Sequence, residues 1–430
     1  MKKIFITVLS LILAQTFVMA RDYTKIHAKE MKHAQKYGST QFRTENFTPT
    51  IYTPITKSHY KDPFNLIIGN YEIIDEDKYQ EKLTQDEEQY TEIEKQLSKV
   101  TFTNYNAQAR GDTYYRVYRI AERIIRANKL DYQVWRIGIK RESEDINAFA
   151  VNGNYIELYT STIDSFIDND DALAEVIGHE IAHILLGHQK RKTRTIQSIN
   201  RYKKLAKRGD NIAALQFAVT KRKFLIDSKN MEYAADIEGA KLATKAGYNI
   251  NKMGDVLYFF ETFSSNNDLY DTHPAPAKRI ESFNQNVKYF PMNAWKEWGK
   301  YNIYNTDVLK ITPSSDRKSI IISPSIDRRG NTQYYHPETS EEMNIRFAYT
   351  CYLNGEFEKS LDYFEKYFSM NSSNAGAYLY ASYASEELYK QTQKSSDLEK
   401  AKEYIQKAYQ LNNSNKYILE QYNEVNANNL

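Results

Sequence analysis

The spacing of apolar positions changes several times along this chain, and each change marks an element. Met1–Lys2–Lys3 precede an apolar run from Ile4 to Val18, which closes in Val18–Met19–Ala20. A positive start, a short apolar core and a small residue at its end predict an export signal, residues 1–20, cleaved before Arg21. An uncleaved inner-membrane anchor is the second reading, and with no cysteine after the run a lipid anchor is excluded. Residues 21–81 are polar without clear periodicity and form an N-terminal extension. Residues 82–98, rich in Glu, Gln and Lys, predict an exposed helix.

From residue 170 the spacing becomes helical. Leu173, Ile177, Ile181, Ile184 and Leu185 recur on one face. Asn169 supplies an N-cap, Asp170 and Asp171 an acidic first turn, and Lys190, Arg191 and Lys192 a basic far end. A second helical stretch covers Asn230 to Ala240 and stops near Gly247.

The last ninety residues alternate helix and turn. Phe347 to Tyr352, a turn at Gly355, and a helix through Leu361, Phe364 and Tyr367 make one unit. Ala377 to Ala381 and Leu398 to Tyr409 make another, with Gln391 to Ser396 lengthening its turn. Ser360 and Ala401 stand where tetratricopeptide repeats keep a small residue. A final helix is predicted over Lys416 to Val425. So few repeats are unstable alone, so they are expected to pack on the preceding domain. Residues 291–340, with Pro313, Pro324, Gly330 and Pro337, predict an extended linker.

The chemistry centres on His179–Glu180–Ile181–Ala182–His183. Two histidines four apart on a helix project from one face, as two ligands of a tetrahedral zinc require. Glu180 sits beside that face, where it can deprotonate a water. Catalytic zinc usually takes three protein ligands. Glu232 and Asp236 also share a helix face: Glu232 is the better third ligand, and Asp236 suits a hydrogen bond from a liganding imidazole. Ala234, Ala235 and Ala240 are small, as two closely packed helices need. His273, in Asp271–Thr272–His273–Pro274, has two open roles: donor to a reaction oxyanion, or a fourth zinc ligand holding the site latent.

These residues resemble the gluzincin metallopeptidases of family forty-eight, the HtpX and prenyl-protein-endopeptidase type. The matching elements are Asn147–Ala148–Phe149–Ala150 with Asn152 to Tyr159, then LAEVIGHEIAH, EYAAD, and the His273 loop with Arg279–Ile280, covering roughly 110–285. The resemblance implies one zinc held by His179, His183 and Glu232, Glu180 as base, Asp236 in support, and a strand around Asn147–Ala148 that pairs with substrate. HtpX-type members carry membrane helices inside the protease domain and this chain does not. The periplasmic BepA type, with its tetratricopeptide tail, is the nearer likeness. The fold expected is α+β and predominantly α: a zincin-like domain with a small edge sheet (82–290), the linker (291–340), then helical repeats (341–430).

Charge sharpens one region. The net charge is only +3, yet residues 190–223 hold twelve Lys and Arg against one acid, Asp210. Ala213, Ala214, Leu215, Phe217, Ala218 and Val219 interrupt them. Such a segment beside the ligands can meet anionic lipid or an acidic partner, or form a movable lid. Nucleic acid is not expected for an exported chain. Cys351 is the single cysteine, so no internal disulfide is possible. Two functions follow as expectations. The first is an exported zinc endopeptidase acting on unfolded or misassembled envelope polypeptides, outer-membrane precursors among them. The other is a periplasmic assembly factor whose repeats bind partners, with proteolysis secondary.

Overall fold

The computed structural model describes residues 72–102, 111–141, 146–151, 153–250, 256–257, 276–323 and 338–427. Its sheet is built from β1 (Trp135–Lys140), β2 (Ala148–Val151), β3 (Tyr155–Tyr159), β4 (Lys310–Pro313) and β5 (Ser319–Ser323), in the order β2-β3-β1-β5-β4. β1 runs parallel to β3, and the other neighbours are antiparallel. Ile137, Ile156, Leu158, Ile320 and Ile322 have no exposed surface, so the middle strands anchor the core. Gly153 (φ 88°) and Asn154 (φ 56°) turn β2 into β3 through the left-handed region, which these residue types tolerate. β2 is therefore an edge strand, and it packs beside the helix that carries the histidines.

Eight helices precede the C-terminal array among the described residues: α1 (Glu76–Leu97), α2 (Gly111–Ala127), α3 (Thr160–Ser165), α4 (Asp170–Leu185), α5 (His188–Ala206), α6 (Asn211–Lys245), α7 (Pro276–Val287) and α8 (Met292–Tyr304). The helix expected at 82–98 starts earlier, capped by Asp75, and it is not simply exposed. Tyr79, Tyr90 and Leu97 are buried, and Asp86 meets Arg126 of α2 at 2.6 Å. Its polar residues mislead because several pair inward: Tyr90 donates to the buried Glu122, which also lies 3.0 Å from Arg126.

α4 follows its pattern. Leu173, Ile177 and Ile181 are fully buried, and the Asn169 side chain accepts from the Ala172 N–H at 3.0 Å. Its end differs from expectation. Gly187 (φ 66°) redirects the chain and α5 begins at His188, so Lys190, Arg191 and Lys192 sit near the start of α5 rather than in the last turn of α4. The macrodipole disfavours positive charge there. α6 is one helix of 35 residues, capped by Asp210 and closed at Ala246 before Gly247 (φ 93°).

The linker expected over 291–340 is structured where it is described. α8 buries Met292, Ala294, Trp295 and Ile303, and β4 and β5 complete the sheet. Pro313 is tolerated because β4 is an edge strand; Pro324, Gly330 and Pro337 lie outside the described residues.

The C-terminal helices α9 (Ser340–Leu353), α10 (Phe357–Phe368), α11 (Ala375–Thr392), α12 (Ser395–Leu411) and α13 (Lys416–Ala427) share a second core around Tyr349, Phe364, Leu379, Ile405 and Ile418. The small residues mark close crossings: Ser360 donates to the Ala348 carbonyl at 2.8 Å, and Ser382 to the Ala401 carbonyl at 2.9 Å. The lengthened turn at 391–396 does not form. α11 continues to Thr392, Gln393 takes the left-handed cap (φ 57°), and α12 starts at Ser395. This array rests on the first domain. Arg346 donates to the Tyr289 carbonyl at 2.9 Å, Asn354 to that of Lys288 at 3.2 Å, and Phe347 packs on Tyr289.

Candidate metal centre

Two glycines set the distance between α4 and α6. A Cβ on Gly178 would stand 2.8 Å from the Gly239 carbonyl oxygen, and one on Gly239 would stand 2.6 Å from the His179 nitrogen. The helices thus touch backbone to backbone, one residue from the first histidine. Ala235 and Ala240 are also buried, whereas Ala234 is exposed.

This crossing brings three side chains together. His179 Nε2 and His183 Nε2 are 3.0 Å apart. Glu232 places Oε2 3.4 Å from the first and Oε1 3.6 Å from the second. A tetrahedral zinc with bonds of about 2.0–2.2 Å needs ligand atoms about 3.3–3.6 Å apart. The donor set, two imidazoles and one carboxylate, is that of a catalytic zinc, and the residues fit the ion. The electrostatics agree. Burial works against a charge on His179, yet Asp236 and Glu232 outweigh it and hold the imidazole up to about 10, so this position favours positive charge.

Further groups orient the set. Asp236 Oδ1 lies 3.0 Å from His179 Nδ1. Arg279 of α7 in turn clamps Asp236 with two hydrogen bonds, of 2.8 and 2.5 Å. Burial pushes the Asp236 carboxyl up, but Arg279 outweighs it and holds the group ionised below its ordinary value. On the other side, His183 Nδ1 is 2.8 Å from Nδ1 of the buried His188. Burial, then the neighbouring His183, pushes His188 down to about 3, so it stays neutral. If His183 Nε2 carries the ligand lone pair, its Nδ1 holds the proton and donates to His188 Nδ1.

Of the residues singled out from the sequence, the structure unites His179, His183, Glu232 and Asp236. Glu180 is buried on α4 between the two histidines, and its charge acts on both His179 and Arg279. His273 lies outside the described residues. The basic segment does reach the site, since Lys192 Nζ is 3.4 Å from Glu232 Oε1. Two contributors have no role in the sequence reading. His188 follows His183 by five residues, where helical spacing gives it no reason to meet the same ring; the break at Gly187 swings it back. Arg279 stands in a matching motif, but only the fold shows its partner.

Comparison with known proteins agrees with this geometry. Residues 113–287 match Peptidase family M48. A stretch of 49 residues is 41% identical to the metalloprotease LoiP of Escherichia coli (strain K12), covering 11% of this chain and 19% of that protein. The match thus spans about a fifth of that relative's length. The metal-ligand set, its Asp236–Arg279 support and the family match all fall in one segment, residues 113–287, which is similar to peptidase family M48.

Proposed function

We propose that this chain is an exported zinc-dependent endopeptidase that cleaves unfolded or misassembled envelope polypeptides. The observation that carries the reading is the convergence of His179, His183 and Glu232, their donor atoms 3.0, 3.4 and 3.6 Å apart, beside the buried Glu180. Zinc bound there would supply a Lewis acid for the scissile carbonyl and make a water more acidic. Glu180 takes the proton of the attacking water and passes it to the leaving amine. Asp236 fixes the His179 ring, and Arg279 fixes Asp236. The edge of β2 beside α4, which pairs with no strand among the described residues, offers backbone donors and acceptors along which an extended polypeptide can lie as an added strand. An edge strand reads backbone rather than side chains, which suits unfolded substrates of mixed sequence.

The apolar run at residues 4–18 supports export to the periplasm. The helical array α9–α13 supports a binding role for substrates or assembly partners, in the manner of tetratricopeptide repeats. Replacing Glu180 with Gln tests the mechanism. Proteolysis of an unfolded protein should fall by at least about a hundredfold, with zinc content unchanged. Full activity in that variant, or loss of zinc along with activity, contradicts the assigned role.

A further inference from the structure

α5 and the first half of α6 form a helical hairpin inserted between the histidine helix and Glu232. On the α6 side that meets α5, Ala213 and Ser228 are buried and Phe217, Thr220 and Phe224 half-buried. The opposite face carries Ile212, Leu215, Val219 and Ile226, which are 75%, 65%, 56% and 51% exposed. At about 100° per residue these four fall within about 60° of one another. Arg222 borders the stripe on one side and Lys223 on the other, both exposed. Of the twelve Lys and Arg between 190 and 223, only Lys192 and Lys203 are half-buried, so ten are exposed. The single acid there, Asp210, is engaged in capping α6, accepting from the Ala213 N–H at 2.9 Å.

An exposed apolar stripe calls for a partner, and its border selects among partners. A second copy would bring Arg222 and Lys223 against their own kind. A nucleic acid would leave the isoleucines and Leu215 in water. An anionic lipid surface satisfies both features: apolar side chains enter the acyl boundary while the flanking cations meet headgroup phosphates. No helix among the described residues is long and apolar enough to cross a membrane; this one has the composition to lie on it.

We propose that the exposed face of α6, Ile212 to Ile226, docks the protein on an anionic lipid surface, with the cations of α5 adding attraction. Glu232 follows Ile226 by six residues on the same helix, a rise of about 9 Å. Docking therefore holds the metal centre beside the bilayer, where membrane-bound or membrane-emerging polypeptides pass. The surface goes beyond the peptidase reading and stands without it, since binding needs neither metal nor Glu180.

The test is co-sedimentation of the chain from Arg21, without the predicted export signal, with vesicles. One set is equal parts phosphatidylglycerol and phosphatidylcholine; the other is phosphatidylcholine alone. Binding should favour the anionic set by at least about tenfold and weaken with salt. Leu215→Asp with Val219→Asp should weaken it by at least about tenfold, and so should Arg222→Glu with Lys223→Glu. These positions are exposed, and unchanged zinc content and circular dichroism verify the fold. Three results overturn the proposal: equal binding to both vesicle sets, unweakened binding by the stripe variant, or no vesicle binding with a self-association or protein complex that the stripe variant abolishes.

Discussion

His188 shows how much one side chain can contribute without touching a metal. Its Nδ1 lies 2.8 Å from His183 Nδ1, both rings buried, and when His183 Nε2 ligates a metal, His188 Nδ1 is placed to accept the proton of His183 Nδ1. Replacing His188 with Ala should lower zinc affinity by about tenfold to a hundredfold, read by competition with a chelator. His188→Asn, whose carbonyl oxygen can still accept, should recover part of the loss. An affinity unchanged by either substitution removes His188 from the site. At this scale the sequence is informative wherever a local period places groups on one face. His179 with His183, and Glu232 with Asp236, are each four apart on a helix. It is silent where the partner comes from a turn or a distant element, as with His188 beyond Gly187 and Arg279 on α7. The same limit holds for the glycine pair: Gly178 and Gly239 look like ordinary helix-weakening residues until the crossing shows that neither can carry a Cβ.

The end of α6 lies tightly against α8. A Cβ on Gly299 would collide with the Lys245 carbonyl oxygen, and Lys245 Nζ lies 4.1 Å from the Trp298 ring centre. Burial first, then Lys241, draws the Lys245 ammonium down to about 7, against the opposing pull of Glu238 and Glu338. A lysine in the unfolded chain holds its proton to about 10.4. Between about 7 and about 10 the unfolded state therefore binds more protons, and stability rises with pH. Below about 7 both states are protonated and the full cost of the buried charge is present. Lys245→Met should therefore raise Tm at neutral pH, and its advantage should shrink as pH approaches 10. Parallel pH profiles of Tm that never converge would refute this origin. α8 was illegible as an element for a related reason. Its turn-rich neighbours hide Trp295 and Ile303, and nothing local reveals that β5 pairs with the distant β1, with Gly138 opposite Ser319 and Trp135 opposite Ile322. The α4 and α6 patterns were readable because each helix buries a stripe with its own period.

At the scale of the molecule, a small mixed sheet and its helices hold the metal centre, with a second helical core on one side and a basic, apolar-striped hairpin leading out of α4. Arg346 joins the two cores: it pairs with Glu338 at 2.7 Å, donates to the Tyr289 carbonyl, and lies over Phe347. The expected division into catalytic domain, linker and repeats fails at the linker because that segment supplies two strands and a core helix to the first domain. The proposed peptidase activity depends on what the crossing of α4 and α6 holds. The most direct measurement is zinc per chain, by elemental analysis of the purified protein, its Glu232→Ala variant and its Glu180→Gln variant. The account predicts one zinc in the wild type and in Glu180→Gln, and strongly reduced zinc in Glu232→Ala. Zinc retained at full stoichiometry without Glu232, or absent from the wild type even after exposure to the ion, would contradict it.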